Sequence, residues 1–145
     1  MRAVIQRVTK GQVVINNKAV ASIRLGFVIL LGVEKTDNRD KADALAKKIS
    51  NLRVFSDDAG KMNLSILDVH GKAIVVSQFT LMADTRKGNR PSFIDAALPE
   101  MARPLVDYFI KTLGKLGVET QSGEFGADML VEIQNDGPVT ILLDF

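Results

Sequence analysis

At 145 residues, 46% of them hydrophobic and with a formal net charge of only +2, the chain has material for one domain with a real core and too little for two. The absence of cysteine excludes disulfides, thiolate nucleophiles and cysteine metal sites, and the single histidine, His70, excludes any site that needs two imidazoles. No stretch approaches the roughly 18 apolar residues of a membrane span, and the N-terminal stretch alternates charged and apolar residues instead of forming a signal-peptide core, so a cytoplasmic protein without membrane contact is expected.

Short runs of Val, Ile and Thr over residues 2–9 and 12–23 predict strands, broken at Gly11 and turned at Asn16-Asn17, a pair suited to a type I′ hairpin. Gly26 to Val33 is short and continuously apolar, the pattern of a strand buried on both faces. Asp37 is placed to cap a helix of about four turns, because Ala42, Leu45, Ala46, Ile49 and Leu52 recur at helical spacing. After a turn at Asp57 to Gly60, the run Lys72 to Leu81 begins as a buried strand and becomes polar at its end, a common position for a site. The basic stretch Thr85 to Arg90 comes next, with a composition that suits either a phosphate backbone or plain solvent.

Met101, Leu105, Val106, Phe109, Leu113 and Leu116 mark a second amphipathic helix. Were it to begin at Pro99, Pro104 would lie past its first turn at a cost of about 3 kcal/mol, so the regular helix is expected from Pro104 onward. Three short strands complete the chain, at Val118 to Gln121, Met129 to Ile133 and Val139 to Phe145, the last two joined through Gly137-Pro138. That dipeptide either turns the chain or fixes two backbone carbonyls in an unusual direction. The expected architecture is one mixed α/β domain over 1–145, with mostly antiparallel β-sheets forming a barrel-like or layered core and two main helices packed on one side. The final strand is too apolar for a free edge, which suggests cover by a second subunit.

Conventional catalytic patterns are scarce. There is no P-loop and no dinucleotide fingerprint. A Ser77-His70-Asp triad is disfavoured because Asp68-Val69-His70-Gly71 reads as a turn, and Asp57-Asp58 is more simply a pair of turn formers than a catalytic dyad.

Two stretches carry a resemblance. Ser77-Gln78-Phe79-Thr80-Leu81 and Asn135-Asp136-Gly137-Pro138-Val139-Thr140 look like the two signature motifs of the D-aminoacyl-tRNA deacylases. The likeness continues in order through Ile5-Gln6-Arg7-Val8, Gly60 to Leu64, Arg90-Pro91-Ser92-Phe93 and Phe125 to Met129. It implies an enzyme that hydrolyses the ester between a D-amino acid and the 3′-terminal adenosine of tRNA, as a homodimer and with neither metal nor cofactor. By motif position, Ser77, Gln78, Phe79 and Thr80 would line the catalytic wall. Gly137 and Pro138, with a cis bond between them, would enter from the other subunit. Phe125 would pack near the terminal adenine, Met129 would border the aminoacyl pocket and Arg7 would hold the Gly-Pro loop. Thr80 remains open between a nucleophile and a structural residue, since no base stands near it in sequence.

Overall fold

The structure, a computed structural model, describes residues 1–145. Strand β1 (Arg2–Ile15) is its centre. On one edge β1 pairs antiparallel with β3 (Gly26–Gly32) through its first half and with β2 (Lys18–Ile23) through its second. On the other edge it pairs along its length with the last strand, β8 (Leu130–Asp144). The break expected at Gly11 is absent. A Cβ there would meet Val28 Cγ2 at 2.6 Å, so the glycine admits close approach of β3 instead of ending the strand. The Asn16-Asn17 turn forms as expected, both residues having positive φ (49° and 62°).

Beyond β3 the sheet continues with β6 (Lys72–Ser77) and β7 (Glu119–Ser122), and these pairings are parallel because each is reached by a crossover containing a helix, α1 (Arg39–Ser50) or α2 (Pro99–Lys115). A two-stranded ribbon, β4 (Phe55–Ser56) with β5 (Met62–Leu64), lies apart. The sheet curls until β7 returns to β2, and there a side chain completes the circuit. Gln121 accepts from the Ser22 amide through Oε1 at 2.8 Å and donates to the Ser22 carbonyl through Nε2 at 3.0 Å, as a neighbouring strand would.

Alternation along β3 and β6 divides the core in two. Phe27, Ile29, Leu31, Ala73 and Val75 face the helices, meeting Leu45, Ile49, Phe109 and Leu113. Val28, Ile74 and Val76 face the barrel interior with Val8, Val13 and Ile23. Both strands are therefore buried on both faces, as a continuous apolar run requires. Each fully buried large side chain contributes on the order of 2 kcal/mol.

Two local expectations are corrected. Asn38, not Asp37, caps α1, accepting from Lys41 N at 3.0 Å. Asp37 is engaged elsewhere, by the Met1 ammonium at 2.6 Å, the Glu34 amide at 2.8 Å and Lys41 Nζ at 3.1 Å. Helix α2 begins at Pro99 and runs through Pro104. Pro99 suits the first helical position, Pro104 and Glu100 are exposed, and the one amide bond that Pro104 cannot donate is offset by burial of Ala102, Leu105, Val106 and Phe109 on the opposite face.

Candidate active site

The last sheet bond at the end of β6 is donated by the Gln78 amide to the Leu31 carbonyl at 2.8 Å. Past it the chain makes a single 3-10 turn, Phe79–Met82, where strand was expected to continue to Leu81. Its first internal bond is Leu81 N to Gln78 O at 3.2 Å. The amides of Phe79 and Thr80 precede that bond and are the donors such a turn leaves over. Arg2 holds the turn from behind, donating from Nη1 to the Leu81 carbonyl at 2.8 Å while its Nε binds Asp144 at 2.7 Å. The Thr80 hydroxyl is exposed and accepts from the Gln78 side-chain amide.

In front of the turn lies a cleft of about 590 Å³. Ser77, Gln78 and Phe79 form one wall, Phe125 and Met129 another, and the segment from Phe93 into the start of α2 closes the third. Apolar residues dominate the lining, and its one charged member is Asp128. Phe79 is 56% exposed and meets Phe93 edge to face, ring centroids 5.1 Å apart. Gly123 gives Met129 its place, since a Cβ there would lie 2.5 Å from the Met129 sulfur.

The second motif folds otherwise than as a turn between two strands. Both halves of β8 pair with the same strand: Asn135 lies opposite Val8 and Thr140 opposite Gln6. Residues 136–139 therefore bulge out of β8 opposite Arg7, and the chain does not reverse. The Gly137-Pro138 bond is cis, Gly137 has φ +119°, and both residues are exposed. Beneath them Arg7, 8% exposed, pairs through Nε with the Asp136 carboxylate at 3.0 Å and donates from Nη1 to the Val54 carbonyl. Val139 inserts into the main core, and Asn135 Nδ2 donates to Gln6 Oε1 at 2.9 Å. The bulge is thus clamped at its base and free at its tip.

Ser77, Gln78, Phe79, Phe125 and Met129 come together in the cleft, and Thr80 adjoins it. Arg7, Gly137 and Pro138 do not line it. Arg7 faces Phe27 across β3, Phe27 faces Ala73 on β6, and Ser77 stands at the far end of β6. At strand dimensions Arg7 and Ser77 are separated by roughly 13 Å along the strands and roughly 10 Å across the sheet. Phe93 and Leu98 were not among the residues expected at the site; the signal for Leu98 is an apolar residue 68% exposed, which appears only in the fold. His70 sits before β6, opposite to the Ser77 end, so the triad has no imidazole. Asp57 accepts from the amides of Ala59 and Lys61, which lowers its pKa and fits a turn former. No three His, Asp or Glu side chains converge to hold a metal.

The sequence profile of the family described as D-Tyr-tRNA(Tyr) deacylase matches residues 4–144. A D-aminoacyl-tRNA deacylase of Fervidobacterium nodosum is 56% identical over 144 residues, 99% of this chain and 97% of that protein. One of Bacteroides fragilis is 54% identical over 145 residues, again 99% and 97%. Among solved structures, the c-Myc DNA unwinding element binding protein superposes with a TM-score of 0.96 at 40% identity, covering 100% of this chain and 99% of its own. A probable eukaryotic D-amino acid tRNA deacylase gives 0.85 at 16% identity over 99% and 98%, a likeness of fold.

Proposed function

The chain belongs to the D-Tyr-tRNA(Tyr) deacylase family, and from that premise we propose how it acts as a D-aminoacyl-tRNA deacylase, a hydrolase of the ester between amino acid and tRNA. The observation that carries the reading is the division of the signature residues between a cleft and a projecting bulge on separate parts of one chain. A second copy resolves it. In a homodimer the Gly137-Pro138 tip of one subunit enters the cleft of the other, and the open edge of β8, with Leu130 and Leu142 about three-fifths exposed, is covered.

In the completed site, the carbonyls of Gly137 and Pro138 accept hydrogen bonds from the ammonium of the amino acid. The amides of Phe79 and Thr80 hold the ester carbonyl and stabilise its oxyanion, a contribution on the order of 3 kcal/mol for each donor. With ammonium and carbonyl both fixed, a D side chain points to solvent and an L side chain into backbone, so chirality is read by steric rejection. Glycine has no side chain to reject, and glycyl-tRNA is then a substrate as well. Phe125 packs against the terminal adenine and Met129 borders the aminoacyl group. The 2′-hydroxyl of the ribose positions water, and no cofactor is needed. The place of work is the cytoplasm, where tRNA is charged.

Binding without chemistry is the competing reading, favoured by the DNA-binding name of one solved relative. Hydrolysis of D- but not L-tyrosyl-tRNA decides against it. Complementation tests the shared site: a subunit with its cleft filled, Ala127→Trp, and one with its bulge altered, Gly137→Val, are each inactive alone. Mixed in equal amounts and allowed to exchange, half of the dimers carry one intact site of two, so about a quarter of the wild-type activity returns. If nothing returns although the subunits exchange, each site is built within one chain.

A further inference from the structure

A cleft that accepts the 3′ end of a tRNA must also let a polyanion out, and its rim is electrostatically uneven. Asp128 is the one charge in the lining, and Glu124 lies in the same connection before β8. The segment that enters the wall at Phe93 is of the opposite sign. It is a loop closed at its base by two backbone bonds, Asp84 N to Ser92 O at 2.8 Å and Ser92 N to Asp84 O at 2.9 Å. Arg86 is committed to Asp84, with Nε and Nη2 on its two carboxylate oxygens at 2.9 and 2.7 Å. That pairing holds the Asp84 carboxyl well below the usual carboxylate range and gives the loop a fixed base. Lys87 and Arg90, both exposed, have no salt-bridge partner. Ser92 leads directly into Phe93, whose ring braces Phe79 at the mouth of the cleft.

We propose that the loop Asp84 to Ser92 is the RNA-backbone contact of this site: Lys87 and Arg90 bind phosphates of the acceptor strand just before the terminal adenosine, while Arg86 and Asp84 keep the loop in place. The inference rests on the deacylase reading and extends it from the aminoacyl end to the rest of the substrate. Two cations without a salt-bridge partner, on the loop that runs into the cleft wall at Phe93, suit a contact that is sequence-tolerant and salt-dependent. Repulsion at Asp128 and attraction at the loop select the side on which the strand departs.

The test is the variant Lys87→Ala/Arg90→Ala, with Lys87→Arg/Arg90→Lys as charge-preserving control, compared on D-tyrosyl-tRNA and on 2′(3′)-O-D-tyrosyl-adenosine, which ends at the terminal nucleoside. Neutralisation should raise KM for the tRNA about tenfold with kcat little changed, leave cleavage of the adenosine ester as in wild type, and flatten the dependence of log K on log salt for uncharged tRNA by about one to two. The control should behave as wild type. An unchanged KM and salt slope overturns the proposal, and so does an equal loss on both substrates, which marks a disturbed cleft. If the wild type cleaves neither substrate the deacylase reading fails instead, and the salt slope with uncharged tRNA still decides whether the loop binds RNA.

Discussion

The cleft at the end of β6 and the bulge on β8 are opposites. The cleft is concave, lined mostly by apolar residues, and bordered by a short turn whose first two amides precede its first internal bond. The bulge is convex, with Gly137 and Pro138 exposed at its tip, and neither residue lines the cleft. Their supports differ too. The cleft wall is held by main-chain bonds and by Arg2 at its back, so its outer side chains can change at little cost. The bulge depends on one buried guanidinium and on a glycine whose φ other residues rarely adopt. A site assembled from these two parts should therefore be fragile on one side and tolerant on the other.

The largest effect is expected at Gly137. A Cβ there would lie 2.8 Å from Val139 Cγ2 and 3.0 Å from Arg7 Nη2, in a backbone region that favours glycine. Gly137→Ala should lower kcat/KM for D-tyrosyl-tRNA about a hundredfold, the scale of an ångström misplacement at a reacting centre, while circular dichroism stays native. Arg7→Ala should come next, leaving the Val54 carbonyl and the Asp136 carboxylate without their partner; urea unfolding should show a loss of about 2–4 kcal/mol, with Arg7→Lys recovering part of it. On the tolerant side, Thr80→Ala removes an exposed hydroxyl and should change stability by less than about 0.5 kcal/mol and kcat by a few-fold at most. Under single-turnover conditions, tRNA ending in 2′-deoxyadenosine should bind normally and be cleaved far more slowly. A dead, folded Thr80→Ala with normal turnover of the deoxy substrate would make Thr80 the nucleophile and reverse the contrast.

The smallest effect concerns pH. Because Arg86 depresses the folded pKa of Asp84, the contribution of their pair is complete above the unfolded value near 4 and is lost only as pH falls through the lower folded value. Amide protection at Asp84 and Ser92 should be flat from about pH 5 to 8 and decline only in strong acid. Asp84→Asn should reduce it across that plateau and converge with wild type in strong acid.

Most of the strands of the main sheet and both helices were legible because apolar periodicity reports which face is buried, and the double burial of β3 was legible because its apolar run does not alternate, whereas the short β4–β5 ribbon was not read. What escaped the sequence was competition between partners. Asp37 has the chemistry of a cap, yet the Met1 ammonium and the Glu34 amide claim it. Gly11 has the chemistry of a break, yet it serves the approach of Val28. The parallel pairings of β6 depend on long crossovers, which leave no local mark. At the candidate site, the motifs named residues and could not distribute them: that Gly137 and Pro138 form a bulge opposite Arg7, apart from Ser77 and Phe125, is a matter of register, and register is set by the whole of β1.

The closure between β2 and β7 gives this barrel an unequal circumference. Every other junction is a backbone ladder in which neighbouring rungs protect one another, whereas this one hangs on the amide of Gln121 against a single residue, Ser22. A rotation about the side-chain torsions of Gln121 unfastens it without disturbing any strand, which a ladder does not allow. Such a seam sits at the low end of the range of local opening energies, well below global unfolding. Solvent deuterium should accordingly enter the barrel first at Ser22, and the cylinder should breathe by unrolling at that line while the β1–β3 staves stay locked.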